Sequence, residues 1–312
     1  MKPARVVVAG GMNVDLVVKT PHLPRPGETV RGRKLTRIAG GKGLNQATAA
    51  SRAGATVWMI GVTGDDAEGQ FLIDRLVEDR VLCVGVRRIP GQATGVALIA
   101  VSEVGENLII VASGANDEAN REMVMGLTDV ICEADVIVSQ LEWPIEAVQT
   151  LLETARPQAI RVLNAAPSTK LALRTLERVD ILVVNEIEAE SLSSLAVRDV
   201  ITAKRAAVHL LDYGPRAVIV TLGAAGALAV EQMGAHLQPA PRIEVVDSTA
   251  AGDAFVGALA CALAEGKTLE KAMAFGVCAG SLACTVLGAW PSLPRRPHIE
   301  AKLTTLPTMV AV

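Results

Sequence analysis

The sequence predicts an α/β fold: a doubly wound, mostly parallel sheet flanked by helices, with a small β-sheet lid. Three observations carry this. Short β-branched runs alternate with helical patterns along most of the 312 residues, the rhythm of βαβ units. The strands are continuous apolar runs, as required where helices cover both faces of a parallel sheet. Two stretches, about 15–37 and 95–111, break that rhythm with extended segments around turns.

Taken in order, residues 6–9 read as a strand and 43–53 as a helix rich in Ala and Gln. A strand at 57–60 and a helix at 69–79 follow. Strands at 136–139, 160–163, 181–184 and 217–221 alternate with helices at 145–156 and 203–212. Helices at 252–265 and 268–284 complete the chain, and residues 304–312 read as a loosely held tail. The first irregular stretch holds a turn with Pro21, Pro24, Pro26 and Gly27, and the second reads as a hairpin around residues 103–106. Together they suit a second sheet over the site, in one domain spanning residues 1–312.

Half the residues are hydrophobic, yet there are only three Phe, three Trp and one Tyr. The core is therefore aliphatic, and a base-stacking nucleic-acid platform is excluded, as is a basic footprint by the net charge of −3. Five cysteines are scattered through apolar segments without a Cys-x-x-Cys pair. They read as buried free thiols in a reducing compartment, not as a zinc or disulfide framework. Residues 272–290 carry no charge over nineteen positions. Their Ala, Gly, Ser, Cys and Thr content suits a helix buried against a sheet better than a membrane span. No leader is evident, so the expected location is cytoplasmic.

Residues 247–253 hold the chemistry. Asp247 precedes a run of small residues, and Asp253 follows Gly252 where an apolar helical pattern begins. Free N–H groups at a helix N-terminus bind anions. The small Ala250, Ala251 and Gly252 let a phosphate approach the backbone. Asp253 then stands beside an anion site with a carboxylate able to take a proton, which suits phosphoryl transfer to an alcohol. Taken alone, an acid in a first helical turn reads equally as a cap or dipole partner. Asn13 and Asp15 follow the first strand and can bind sugar hydroxyls through paired hydrogen bonds.

Seven motifs stand in order along the chain. They are Gly11-Met12-Asn13-Val14-Asp15, Pro26-Gly27-Glu28-Thr29, and Gly40-Gly41-Lys42-Gly43-Leu44-Asn45-Gln46-Ala47. Then come Gln140-Leu141-Glu142, Asn185-Glu186-Ile187-Glu188, Thr221-Leu222-Gly223-Ala224-Ala225-Gly226, and the 247–253 segment. From about residue 5 to residue 295 this set resembles the ribokinase branch of the ribokinase/phosphofructokinase-B family of carbohydrate kinases.

The resemblance implies that Asn13, Asp15, Gly41, Lys42, Asn45 and Glu142 hold a sugar, with Asp253 as general base. It implies that Ala250, Ala251 and Gly252 form the anion hole for the transferred phosphoryl group. Asn185, Thr221, Gly223, Gly226 and Gly252 would face ATP, with Glu188 in the Mg2+ region. A K+ cage would use Asp247, Thr249, Ala283, Val286, Gly288 and Ser292. Two positions depart from the pattern: Gly276, near the expected adenine, and Trp290, beside the cation loop.

The implied reaction is ATP-dependent phosphorylation of D-ribose at its 5-hydroxyl, with 2-deoxyribose or fructose as alternative acceptors. A non-catalytic sugar or nucleotide sensor is the reading from another class, and the retained Asp253 argues against it. A nicotinamide-dependent oxidoreductase lacks its Gly-x-Gly-x-x-Gly fingerprint, since Gly10-Gly11-Met12-Asn13 stands after the first strand. Exposed lid strands need covering, which points to a homodimer formed through the lid. The expected partners are thus a small sugar and ATP, with no nucleic acid and no membrane.

Overall fold

The computed structural model describes residues 4–169 and 171–312. Its strands in chain order are β1 Arg5–Ala9, β2 Asn13–Thr20, β3 Lys34–Gly40, β4 Thr56–Gly64, β5 Leu82–Ile89, β6 Gly95–Ser102 and β7 Asn107–Ala112. They continue with β8 Val136–Ser139, β9 Ile160–Asn164, β10 Ile181–Asn185, β11 Ala217–Thr221, β12 Ala227–Glu231, β13 Gly234–Gln238 and β14 Val310–Ala311.

Ten strands form one sheet in the order β14-β13-β12-β11-β10-β9-β8-β1-β4-β5. From β5 to β11 the pairing is parallel throughout, and β12, β13 and β14 add antiparallel to that edge. The chain leaves β1 for β4 and β5 on one side, then returns to β8 on the other. This reversal opens a crevice at the carboxyl ends of β1 and β8, where ligands of such sheets bind.

Alternation along the strands explains the two-sided core. Val6 and Val8 of β1 join one buried cluster, while Val7 and Ala9 join the other. The first cluster is closed by the helices Lys42–Ala53, Ala251–Ala264 and Leu269–Ala283, and the second by Ile145–Thr154 and Val200–Leu211. Small side chains let the helices pack closely: a Cβ at Gly257 would lie 2.5 Å from Ala49 Cβ and 2.6 Å from Gln46 O.

The two irregular stretches meet as predicted. β3, β2, β6 and β7 make a separate four-stranded sheet. Its register sets Asp15, Ala97 and Val111 side by side, and Leu16, Leu98 and Ile110 side by side on the opposite face.

The end of the chain differs from the expected loose tail. Residues Val310–Ala311 add a strand to β13. Gln238 Nε2 donates to Pro307 O at 2.8 Å, and Lys204 Nζ donates to Val312 O at 2.8 Å. The unsatisfied edge of β13 supplied partners that a short apolar tail does not announce. The uncharged stretch near the end is also settled: its helix Leu269–Ala283 packs on Ala251–Ala264. Among the described residues no helix is long and apolar enough to cross a membrane.

Candidate active site

The crevice is built by chain ends that converge from distant positions. At the end of β3, Gly41 takes φ 88° and begins the helix Lys42–Ala53 without a side-chain cap of its own. A Cβ there would lie 2.7 Å from both Asn13 N and Gly11 O, so only glycine lets the helix start against the β1–β2 connection. The missing cap comes from afar: the Lys42 N–H donates to Glu142 Oε2 at 2.8 Å. Glu142 precedes the helix Ile145–Thr154, where an acid could have served as a cap. That helix instead starts at Pro144 with no side-chain cap, which frees Glu142 for the crevice.

Asp253 lies in the first turn of Ala251–Ala264 and is 7% exposed. Both its oxygens are held: Asn45 Nδ2 donates to Oδ2 at 3.0 Å, and Gln46 Nε2 donates to Oδ1 at 2.9 Å. Gln46 Nε2 also donates to Asn164 Oδ1 at 3.0 Å, and Gln46 Oε1 accepts from Gln140 Nε2 at 2.7 Å. A buried chain of amides thus orients the carboxylate from the end of β8 and the end of β9. Sequence reading missed Gln46, Gln140 and Asn164 in this role. Gln46 and Gln140 stood inside the quoted motifs, but neutral amides carry no charge signal.

Two cavities meet at Lys42, Ala250 and Asp253. The larger, about 690 Å3, lies under the small sheet and is lined by Asn13, Asp15, Gly41, Asn45 and Glu142 among others. Ala97, Ile99, Ile109 and Val111 give it an apolar roof. The smaller, about 220 Å3, runs over the ends of β10 and β11 and is lined by Asn185, Glu188, Thr221, Ala251 and Gly252. Gly223 and Gly226 line neither cavity; they shape the turn between β11 and β12, with φ 51° and 103°. Asn185 and Glu188 cap each other around the start of Glu186–Ser193, with Glu188 N–H to Asn185 Oδ1 at 2.8 Å and Asn185 N–H to Glu188 Oε2 at 2.9 Å.

The small residues at this helix N-terminus differ in what their N–H groups meet. Ala250 takes a left-handed φ of 60° as the N-cap residue. The Ala251 N–H turns back to Ser248 O at 3.2 Å, whereas those of Ala250 and Gly252 have no backbone acceptor among the described residues. A Cβ at Gly252 would meet nothing within 4 Å, so a side chain there would project into open space at the cavity.

Concentrated acids shift one another. Burial pushes the Asp15 carboxyl up to about 7, and the Glu142 and Asp253 carboxylates add to the rise. Burial also lifts Glu142 to about 7, against the pull of the Lys42 ammonium and N–H. Glu188 is raised by burial as well, over the opposing Asn185 N–H and Lys42. For Lys42, burial disfavours the charge, but Asp253, Glu142 and Glu188 outweigh it and the group stays firmly cationic. One lysine therefore sits among the carboxylates at the junction of both cavities.

Of the residues of the expected cation cage, Thr249 lines the larger cavity, and Asp247 joins Thr249 to Gly288. Asp247 Oδ1 accepts from Thr249 N–H at 2.9 Å and Oγ1 at 2.6 Å, and its Oδ2 accepts from Gly288 N–H at 2.8 Å. Burial raises the Asp247 carboxyl, but these hydrogen bonds prevail and hold it below the usual range. Ser292 Oγ donates to Ala289 O at 2.7 Å, and Ala283 O accepts from Val286 N–H at 3.2 Å. Trp290 turns away from the cage to lie under the Arg52 guanidinium, 4.6 Å from ring centroid to Cζ. Gly276 faces the Phe255 ring in the seam between the last two long helices, and a Cβ there would sit 2.9 Å from it.

A parallel sheet with two joined cavities at its switch point, a lysine and a buried carboxylate at their junction, and a helix N-terminus between them define a small-molecule kinase. The chain belongs to the pfkB family of carbohydrate kinases, whose profile matches residues 3–296. It is 37% identical over 308 residues to a ribokinase of Schizosaccharomyces pombe, covering 95% of this chain and 96% of the other. It is 34% identical to a ribokinase of Haemophilus influenzae over 93% of this chain and 95% of that protein. Among solved structures, the ribokinase of Arabidopsis thaliana complexed with ribose and ATP superposes with a TM-score of 0.90 at 30% identity, covering 97% and 99% of the two chains.

Proposed function

We propose that this kinase transfers the γ-phosphoryl group of ATP to the 5-hydroxyl of D-ribose, in the cytoplasm, with Asp253 as general base. The observation that carries this reading is Asp253 itself, fixed by Asn45 and Gln46 where the two cavities join. A sugar in the larger cavity would meet Asn13, Asp15, Gly41, Lys42, Asn45 and Glu142, with its primary hydroxyl toward Asp253. ATP would enter the smaller cavity past Asn185 and Thr221, near the turn of Gly223 and Gly226. The free N–H groups of Ala250 and Gly252 would receive the phosphoryl group as its charge develops, and Lys42 would neutralise it. The consistent naming of relatives as ribokinases and the ribose and ATP in the Arabidopsis thaliana structure support ribose over fructose or 2-deoxyribose.

The donor sets fit the expected ions. Glu188 presents a buried carboxylate to the smaller cavity, suited to a Mg2+ ion held mainly by phosphate oxygens and water. Bound there, Mg2+ would neutralise phosphate charge. The carboxylate of Asp247, the carbonyls of Thr249, Ala283, Val286 and Gly288, and the Ser292 hydroxyl form an oxygen-only set suited to K+. In these roles the loops would be held together by Asp247, which already joins Thr249 to Gly288.

The small sheet serves as the lid over the sugar cavity, within one domain spanning the chain. Its outer face exposes Leu35, Leu98 and Ile110 at 62%, 51% and 57%. Such an apolar sheet face suits pairing with a second copy into a homodimer.

The test is coupled ADP release from ATP and Mg2+ with ribose, 2-deoxyribose, fructose and a nucleoside, each with and without K+. K+-stimulated turnover highest with ribose is expected. Turnover confined to another acceptor would move the substrate, and ATP binding with no turnover on any would favour the sensor reading.

A further inference from the structure

Asn116 is 1% exposed and lies in the short turn of helix Gly114–Glu118 that follows β7. Its orientation is fixed by the backbone of Met12. The Met12 N–H, which can only donate, gives its hydrogen to Asn116 Oδ1 at 3.0 Å, so Asn116 Nδ2 is the donor end. That Nδ2 lies 3.1 Å from Met12 O, 2.9 Å from Ser113 O and 2.9 Å from Asn13 Oδ1. Its two hydrogens are shared among these three oxygens, and an Asn13 nitrogen in that place would set donor against donor, so the Asn13 amide is also fixed. Its oxygen is taken by Asn116, and no acceptor among the described residues takes its Nδ2. Gly95, the first residue of β6, closes the arrangement: a Cβ there would lie 2.2 Å from Asn13 Oδ1 and 2.4 Å from Asn116 Nδ2.

We infer that Asn116 is a positioning residue that sets the hydrogen-bond polarity of the larger cavity, by turning Asn13 so that it offers a donor. Asp15 stands two residues along the same face of β2 and offers an acceptor. The pair then reads two hydroxyls of one ligand differently: one must accept from Asn13, and the other meets the Asp15 carboxyl, an acceptor when ionised. Because Asn116 and Gly95 sit at the roots of β7 and β6, the small sheet must be seated for this polarity to hold. The inference rests on the reading of this cavity as a sugar site.

The test is a double-mutant cycle read by calorimetric binding of ribose, with ATP binding measured in parallel. Asn116→Ala is expected to weaken ribose about tenfold, the worth of one neutral hydrogen bond, and to leave ATP affinity unchanged. In an Asn13→Ala background the same change should cost clearly less than in the wild type, because part of the effect of Asn116 on ribose runs through Asn13 while its bonds to Met12 and Ser113 are lost in both. Additive losses, or unchanged ribose affinity in Asn116→Ala, would overturn the inference. Should Asn116→Ala not fold, Asn13→Asp decides: it keeps an oxygen for Asn116 but turns an acceptor to the cavity. Asn13→Asp should lose ribose as strongly as Asn13→Ala, and wild-type affinity in it would refute the polarity. A wild-type protein that binds ATP but no pentose or hexose would sink the sugar-site reading, and this inference with it.

Discussion

Gln46 donates to Asp253 across 207 positions of sequence, at 2.9 Å, while its own carbonyl accepts from Gln140. The proposed base is thus not a free acid in a helix turn. It is the end of an amide chain anchored at the ends of β8 and β9, with both of its oxygens held at the junction of the cavities.

That rigidity makes Asp253→Asn an informative change. Asparagine keeps the volume but cannot take a proton and must break one of the two amide contacts. We expect kcat to fall by about 10²–10⁴, with KM for the sugar within a few-fold. Steady-state kinetics with ribose and ATP would check this; turnover near that of the wild type would remove Asp253 from the role of base.

Gln46→Leu should show the same chain from the other side. It leaves Asn164 Oδ1 and Gln140 Nε2 without these partners and one Asp253 oxygen unheld. A loss of about 1–3 kcal/mol in unfolding free energy is expected, together with reduced kcat. Denaturant midpoints and kinetics on one preparation would separate the two effects, and an unchanged kcat would show that Asn45 alone suffices to orient the carboxylate.

How much of this was legible in the sequence follows from the physics of each signal. Strands β1, β8 and β11 are continuous apolar runs buried on both faces, and their limits were read to within a residue. β5 was not read, because this edge strand exposes Val84 at 67% and carries Arg87 and Arg88. The Asn185 and Glu188 pair was legible as a motif, but only the fold shows that it is also a capping box. Asn116, Gln140 and Asn164 gave no signal in isolation, since a neutral amide acquires meaning only from partners about a hundred residues away.

The raised carboxyls make stability depend on pH with a definite sign. Asp15 and Glu142 stand near 7 when folded, against about 4 for an unfolded carboxyl. Between those values the folded protein holds protons that the unfolded chain has released, so stability falls as pH rises through that window. The ligand-free protein should therefore melt at a higher temperature at pH 6 than at pH 8, and Asp15→Asn should flatten part of this slope. A Tm that rises over that interval, or a slope untouched by Asp15→Asn, would contradict the burial of these acids.

Behind the cation loop lies a buried ion pair. Arg52 and Asp79 are 7% and 0% exposed, and the guanidinium also donates to Trp290 O at 3.0 Å and Leu293 O at 2.8 Å. Arg52→Met would leave the buried Asp79 carboxylate with Arg295 alone, 3.4 Å away, and Asp79→Asn would leave the Arg52 guanidinium without its carboxylate, so each should cost up to about 3–5 kcal/mol. Arg52→Lys should recover only part, because an ammonium cannot reach the carboxylate and both carbonyls at once. Chemical denaturation would measure the losses; a change below about 1 kcal/mol would mean the loop is held by other contacts.

Ala250 provides a backbone test. It holds φ 60° and ψ 12°, a left-handed conformation that costs a non-glycine residue about 1–2 kcal/mol. The turn is needed because it directs the Ala251 N–H back to Ser248 O while Ala250 O accepts from Ala254 N–H at 2.8 Å to start the helix. Glycine relieves that cost but adds freedom to the unfolded chain, so Ala250→Gly should change stability by less than about 1 kcal/mol. Valine cannot take this conformation without severe crowding, and its side chain would also enter both cavities that Ala250 lines. Ala250→Val is therefore expected to lower both Tm and kcat, whereas Ala250→Gly keeps kcat within a few-fold. If valine were tolerated in both measurements, the left-handed turn would not be what shapes this helix N-terminus.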